Sequence, residues 1–164
     1  MKKLISIFGV TGSVGNSAIE LLRKRKDEFE LVAITCNSDI EKISIIANEF
    51  SPKIIAVADE KKLAELKRNV SSNIKCFAGE EGICEAASYK TDIVIASIVG
   101  LAGLKPLIES IKSSPVIALA NKECIVSAGS LIKKLSKEND CNIIPVDSEH
   151  NAIFQILDGK SIND

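Results

Sequence analysis

Two hydrophobic rhythms alternate along the chain. Short, nearly continuous runs of Ile, Val, Leu and Ala occupy residues 4–8, 31–35, 53–57, 92–96, 116–120 and 142–146, with a weaker run at 74–77. Runs of that length and composition predict strands covered on both faces. Between them, residues 17–26, 40–50, 60–68, 104–112 and 125–137 carry apolar side chains at helical spacing with charges opposite, which predicts amphipathic helices. Ser38 and Glu41 form a capping-box pattern at the head of the second helix, the Ser38 hydroxyl taking a free backbone N–H and Glu41 reaching back. The alternation predicts an α/β fold: a doubly wound, mostly parallel sheet with helices on both faces. No repeat, low-complexity tract or proline-rich linker interrupts it. Residues 1–155 therefore read as one domain and 156–164 as a polar tail, with Asp158-Gly159 a plausible helix stop.

Composition narrows the class. The chain has 164 residues, 46% of them hydrophobic, which is enough for one domain with its own core. Its 21 basic residues against 22 acidic ones leave no basic field to draw nucleic acid. No apolar stretch approaches the roughly 20 residues of a spanning helix. The opening Lys2, Lys3 and apolar run look superficially like a signal peptide. The run is short, however, and leads into a glycine turn instead of a cleavage site, so it reads as a first strand. Five cysteines, odd in number and without a C-x-x-C pair, predict reduced thiols in a cytoplasmic protein.

In a doubly wound sheet, ligands bind beyond the carboxyl ends of the strands, so the residues after each strand carry the chemistry. After the first come Gly9-Val10-Thr11-Gly12-Ser13-Val14-Gly15 and a helix. Such glycines serve either a pyrophosphate approaching the backbone and helix N-terminus or plain strand–helix packing; their place at the start of an α/β chain favours a dinucleotide. After the second come Asn37-Ser38-Asp39, where Asp39 is equally a ribose-binding acid or a first-turn helix residue. A small-residue turn at 97–103 either passes the middle of a cofactor or packs helix against sheet. Asn121-Lys122-Glu123 breaks abruptly from an apolar strand, which favours function over solvated surface. Asp147 and Glu149 are spaced to converge on one hard cation, or else to sit at a helix N-terminus. His150, the only histidine, reads as a helix-surface or packing residue.

Taken in order, residues 9–15, 96–100, 119–123 and 145–155 (Pro-Val-Asp-Ser-Glu-His-Asn-Ala-Ile-Phe-Gln in the last) resemble the 1-deoxy-D-xylulose 5-phosphate reductoisomerases over essentially the whole chain. The resemblance implies a Rossmann-type domain binding NADPH. It also implies an enzyme using Mg²⁺ or Mn²⁺ to convert 1-deoxy-D-xylulose 5-phosphate, a phosphosugar, to 2-C-methyl-D-erythritol 4-phosphate in non-mevalonate isoprenoid synthesis.

Carried over by position, Thr11, Gly12, Ser13 and Val14 would hold the cofactor phosphates. Asn37, Ser38 and Asp39 would lie at its extra phosphate, while Asn121 and Glu123 would contact the nicotinamide half. Lys122 and Ser148 would bind substrate, and Asp147 and Glu149 the metal. The family commonly has a Gly-Lys-Asn-like triplet where this chain has Asn37-Ser38-Asp39, and the lost cation leaves NADPH versus NADH open. Members are more than twice as long, adding catalytic and C-terminal domains. The expectation is a cofactor-binding portion, inactive alone, whose family-type homodimer needs those domains. The alternatives are a non-catalytic nucleotide-binding module or gene remnant, and a semialdehyde or homoserine dehydrogenase of the same fold. Those dehydrogenases lack the Asp147–Asn151 pattern.

Overall fold

The computed structural model describes residues 1–157; the predicted stop at Asp158-Gly159 and the rest of the tail lie outside the described residues. Seven strands form one sheet: β1 (Lys3–Phe8), β2 (Phe29–Cys36), β3 (Ile54–Val57), β4 (Lys75–Ala78), β5 (Ile93–Ala96), β6 (Val116–Leu119) and β7 (Asn142–Pro145). Every pairing is parallel, and the order is β4-β3-β2-β1-β5-β6-β7. The chain thus winds outward from β1 in one direction, then restarts at β5 on its other side. The gap between β1 and β5 is the switch point where such sheets open a crevice.

The helices are α1 (Ser13–Lys24), α2 (Ile40–Phe50), α3 (Leu63–Asn69), α4 (Gly79–Ala87), α5 (Leu104–Ser113), α6 (Lys122–Glu138) and α7 (Ser148–Leu157). Two separate cores show why the central strands are mostly apolar along their buried lengths. Ile55 and Val57 of β3 join Ile19, Ile43 and Leu66 from α1, α2 and α3 on one face. Their neighbours Ile54 and Ala56 join Ile83, Leu107 and Ile132 from α4, α5 and α6 on the other. Successive strand side chains point to opposite faces, so a strand buried on both sides has no polar register.

Several expectations need correction. The first helix begins at Ser13, not near residue 17, because the glycine run itself supplies its first turn. The cap of α2 is Asp39, whose carboxylate accepts the Lys42 N–H at 3.0 Å, and not the expected Ser38. Helix α4 lies where none was read. Gly79 and Gly82 mask its pattern, yet Gly82 is required there, since a Cβ would lie 2.9 Å from that of Phe77. Residues 60–68 divide into a 3-10 turn and α3, and α7 continues past residue 155.

Candidate functional site

Because every strand runs the same way, all five candidate segments emerge on one edge of the sheet. Across that edge they follow the strand order: residues 37–39 after β2, 9–12 after β1, 97–103 after β5, 120–121 after β6 and 146–147 after β7. Adjacent strands lie about 4.8 Å apart, so the row spans about 19 Å from β2 to β7.

The middle of the row is the most constrained. Gly9 has φ +85, and a Cβ there would lie 2.7 Å from the Ser97 carbonyl oxygen. A side chain at Gly15 would collide with the Gly9 carbonyl and come within 2.6 Å of Val10 Cα. Thr35, fully buried at the end of β2, fixes the turn from below: its hydroxyl and carbonyl accept the Gly9 N–H at 3.0 and 3.1 Å. From the β5 side, the Ser97 hydroxyl donates to the Phe8 carbonyl at 2.7 Å. The loop is thus a rigid shelf across the switch point.

Helix α1 starts on that shelf without a side-chain cap: Gly12 is its N-cap, and its first turn holds no acid. Its leading amides and the dipole's positive end are therefore left for an anion from outside. Alongside lies a cavity of about 600 Å³, bounded by Thr11, Gly12, Asn37, Ser97, Ile98 and Val99 among others. Thr11 and Gly12 meet it directly. Ser13 is exposed and Val14 half-buried in the first turn of α1. Cys36 also faces the cavity. Burial, with the nearby Asp39 charge, pushes its thiol up to about 12, so it stays protonated and apolar in character. All five cysteines are free thiols.

Asn37, Ser38 and Asp39 are exposed, but they do not act alike. The Asp39 carboxylate is turned onto its own helix as the N-cap of α2. Beyond it, the Lys42 ammonium bridges back from α2 to the Thr11 carbonyl at 3.1 Å.

At β6, Asn121 is 2% exposed and fully used. Its Oδ1 accepts the Cys124 N–H at 3.0 Å, capping α6, and its amide donates to the Ile98 carbonyl and to that of Gly100 at 2.8 Å. A Cβ on Gly103 would stand 2.7 Å from that amide nitrogen. Asn121 is thus a latch tying the 97–103 turn to α6. Lys122 and Glu123 follow in the exposed first turn of α6.

At β7, Asp147 caps α7. Its Oδ1 accepts the His150 N–H at 2.9 Å and lies 2.8 Å from His150 Nδ1. Burial alone would raise this carboxyl, but the His150 amide and ring outweigh it and hold it below the ordinary range. An ionised carboxylate on this edge is an acceptor suited to a hard cation. Ser148 is exposed at the start of α7. The Glu149 side chain lies outside the described residues, and with it the expected convergence on Asp147. Among the described residues, no group of three or more His, Cys, Asp or Glu is placed to hold a metal, so the fit for a cation rests on Asp147.

Sequence reading singled out the 97–103 turn but not the Ser97 hydroxyl as its tie to β1, and it missed Thr35, Asn121 as a latch, and Lys42. Thr35 and Ser97 carried a signal, since each is a hydroxyl at the end of an apolar strand. Lys42 carried a subtler one: a cation in a helix's first turn opposes the dipole.

The family model described as 1-deoxy-D-xylulose 5-phosphate reductoisomerase matches residues 5–129. The chain is 47% identical to the protein of that name from Clostridium perfringens, over 98% of this chain and 43% of the relative. It is 44% identical to the one from Caldanaerobacter subterraneus subsp. tengcongensis, over 98% and 42%. The chain thus spans less than half the length of these curated relatives. Among solved structures, the reductoisomerase from Zymomonas mobilis in complex with NADPH superposes with a TM-score of 0.91 at 35% identity, covering 94% of this chain and 41% of that one. A DOX-P reductoisomerase in complex with NADPH, fosmidomycin and magnesium gives 0.88 at 36% identity, covering 93% and 38%.

Proposed function

The chain belongs to the 1-deoxy-D-xylulose 5-phosphate reductoisomerase family, and on that premise we propose that residues 1–155 are its NADPH-binding domain, carrying part of the metal and substrate site. One observation carries the reading: the uncapped start of α1 on a rigid glycine shelf, at the switch point, beside a cavity of about 600 Å³. In such sheets the pyrophosphate takes the helix N-terminus and the adenosine ribose lies toward β2. The nicotinamide half then runs the other way, over β5 and β6.

Thr11, Gly12, Ser13 and Val14 hold the phosphates through backbone amides and hydroxyls. Asn37 and Ser38 face the adenosine ribose. Asn121 acts by fixing the 97–103 turn under the nicotinamide half, and Glu123 contacts that half. Lys122 and Ser148 reach the phosphosugar, and Asp147 and Glu149 supply carboxylates to the metal. When bound, NADPH supplies hydride and the Mg²⁺ or Mn²⁺ ion polarises substrate oxygens. The reaction served is conversion of 1-deoxy-D-xylulose 5-phosphate to 2-C-methyl-D-erythritol 4-phosphate.

NADPH fluorescence tests the domain assignment. Titration of the chain should give a saturable change, and Gly12→Asp should weaken it by about tenfold or more through repulsion of the pyrophosphate. The same change adds a favourable helix cap, so the thermal midpoint should hold while affinity falls. A flat titration at millimolar cofactor, or equal affinity in Gly12→Asp, contradicts the assignment.

A further inference from the structure

The ribose end of the cavity presents a puzzle of charge. The segment after β2 holds one acid, Asp39, and no base. Yet Asp39 does not face the cavity as a ribose-binding acid would; its Oδ1 is 3.0 Å from the Lys42 backbone nitrogen, closing the first turn of α2. The side chain of that same Lys42 runs the opposite way. Half-buried, it leaves the first turn of α2 and sets its ammonium 3.1 Å from the Thr11 carbonyl oxygen. Thr11 and Asn37 both bound the cavity. The ammonium is therefore tied to the β1 loop from a helix that starts just past the segment after β2, and those are the two places that hold the adenosine ribose in a doubly wound sheet.

Two physical facts make this position informative. A lysine in a helix's first turn works against the dipole, so the helix gains nothing from it there. An ammonium carries three donors, and the described contact places one of them on a neutral oxygen. A dianion arriving between the β1 loop and Asn37 could take the remaining donors and the ammonium's charge. A bare ribose hydroxyl would gain far less from the same group.

We propose that Lys42 selects NADPH over NADH by pairing its ammonium with the 2′-phosphate of the adenosine ribose. This rests on the dinucleotide reading above. It supplies the cation that the 37–39 triplet lacks, from one turn further along the chain and in a different geometry.

Dissociation constants for NADPH and NADH, measured by cofactor fluorescence on the full chain and on Lys42→Ala, Lys42→Gln and Lys42→Arg, test it. The unaltered chain should prefer NADPH. Lys42→Ala and Lys42→Gln should each lose about tenfold or more in NADPH affinity relative to NADH affinity, with the thermal midpoint and circular dichroism as the control of folding. Lys42→Arg should keep the preference. NADPH binding should also weaken less with added salt in the neutral variants than in the unaltered chain, since one ion pair has been removed. A preference that survives Lys42→Ala and Lys42→Gln undiminished, or an unaltered chain that binds both cofactors alike, overturns the role of Lys42. An unaltered chain that binds neither cofactor overturns the dinucleotide reading itself, so the two failures are distinguishable.

Discussion

Asn121 shows how a residue can be read for contact and turn out to work by position. By resemblance it would touch the nicotinamide half. In the structure its acceptor and both donors are committed, to the Cys124 amide and to the Ile98 and Gly100 carbonyls. Replacing it by alanine removes an N-cap, leaves the Ile98 carbonyl without the Asn121 amide, and leaves the Gly100 carbonyl held only by the Gly103 N–H and the Cys124 thiol. We expect Asn121→Ala to cost about 2 kcal/mol or more in denaturant-unfolding free energy and to weaken NADPH binding as the 97–103 turn loosens. Asn121→Asp keeps the cap acceptor but turns a carboxylate on those carbonyls, so it should bind NADPH no better than the alanine variant. If Asn121→Asp retains full affinity, the latch is not what organises this turn. The sequence displayed the abrupt polar step at residues 121–123, which located the site. It did not display the partners, because all are backbone atoms, one in the helix it caps and two in the 97–103 turn.

At the scale of elements, the strands were legible because burial on both faces leaves no polar alternation to disguise them: residues 54–57 are all fully buried. Helix α4 was illegible for the converse reason. It packs so closely on β4 that Gly82 occupies a contact position, and glycine reads as a turn. The start of α1 was misplaced because the end of the glycine run, Ser13-Val14-Gly15, already forms the helix's first turn. Some of what joins the elements is electrostatic. Arg23 of α1 donates to both Glu49 carboxylate oxygens at 2.7–3.2 Å, and Lys26 approaches at 3.0 Å, clasping the ends of α1 and α2. The Arg23 hydrogen bonds, with help from Lys26, hold the Glu49 carboxyl below its ordinary 4.5. A carboxyl depressed on folding adds stability above its unfolded value and loses it as pH falls through the folded one. The pair is largely exposed, so the gain is only about 0.5–1 kcal/mol. Glu49→Gln should therefore lower stability by that amount at neutral pH, with the gap closing under acid as the native carboxyl protonates. A gap unchanged between neutral and acid denaturation curves would show that the clasp contributes nothing through its charge.

At the scale of the molecule, the separate motifs become one row because seven parallel strands put every carboxyl end on the same side. The order of motifs along the chain was readable directly. Their order in space follows only from the restart at β5, which sets the glycine shelf between the ribose end at β2 and the turns after β5 and β6. Hydrogen–deuterium exchange with and without saturating NADPH reads that placement residue by residue. Bound cofactor should slow exchange at the amides of residues 11–15, 37–42 and 97–103, while the loops at the amino ends of the strands, such as residues 51–53 and 89–92, stay unchanged. Protection at that opposite edge, or none in residues 11–15, would contradict it.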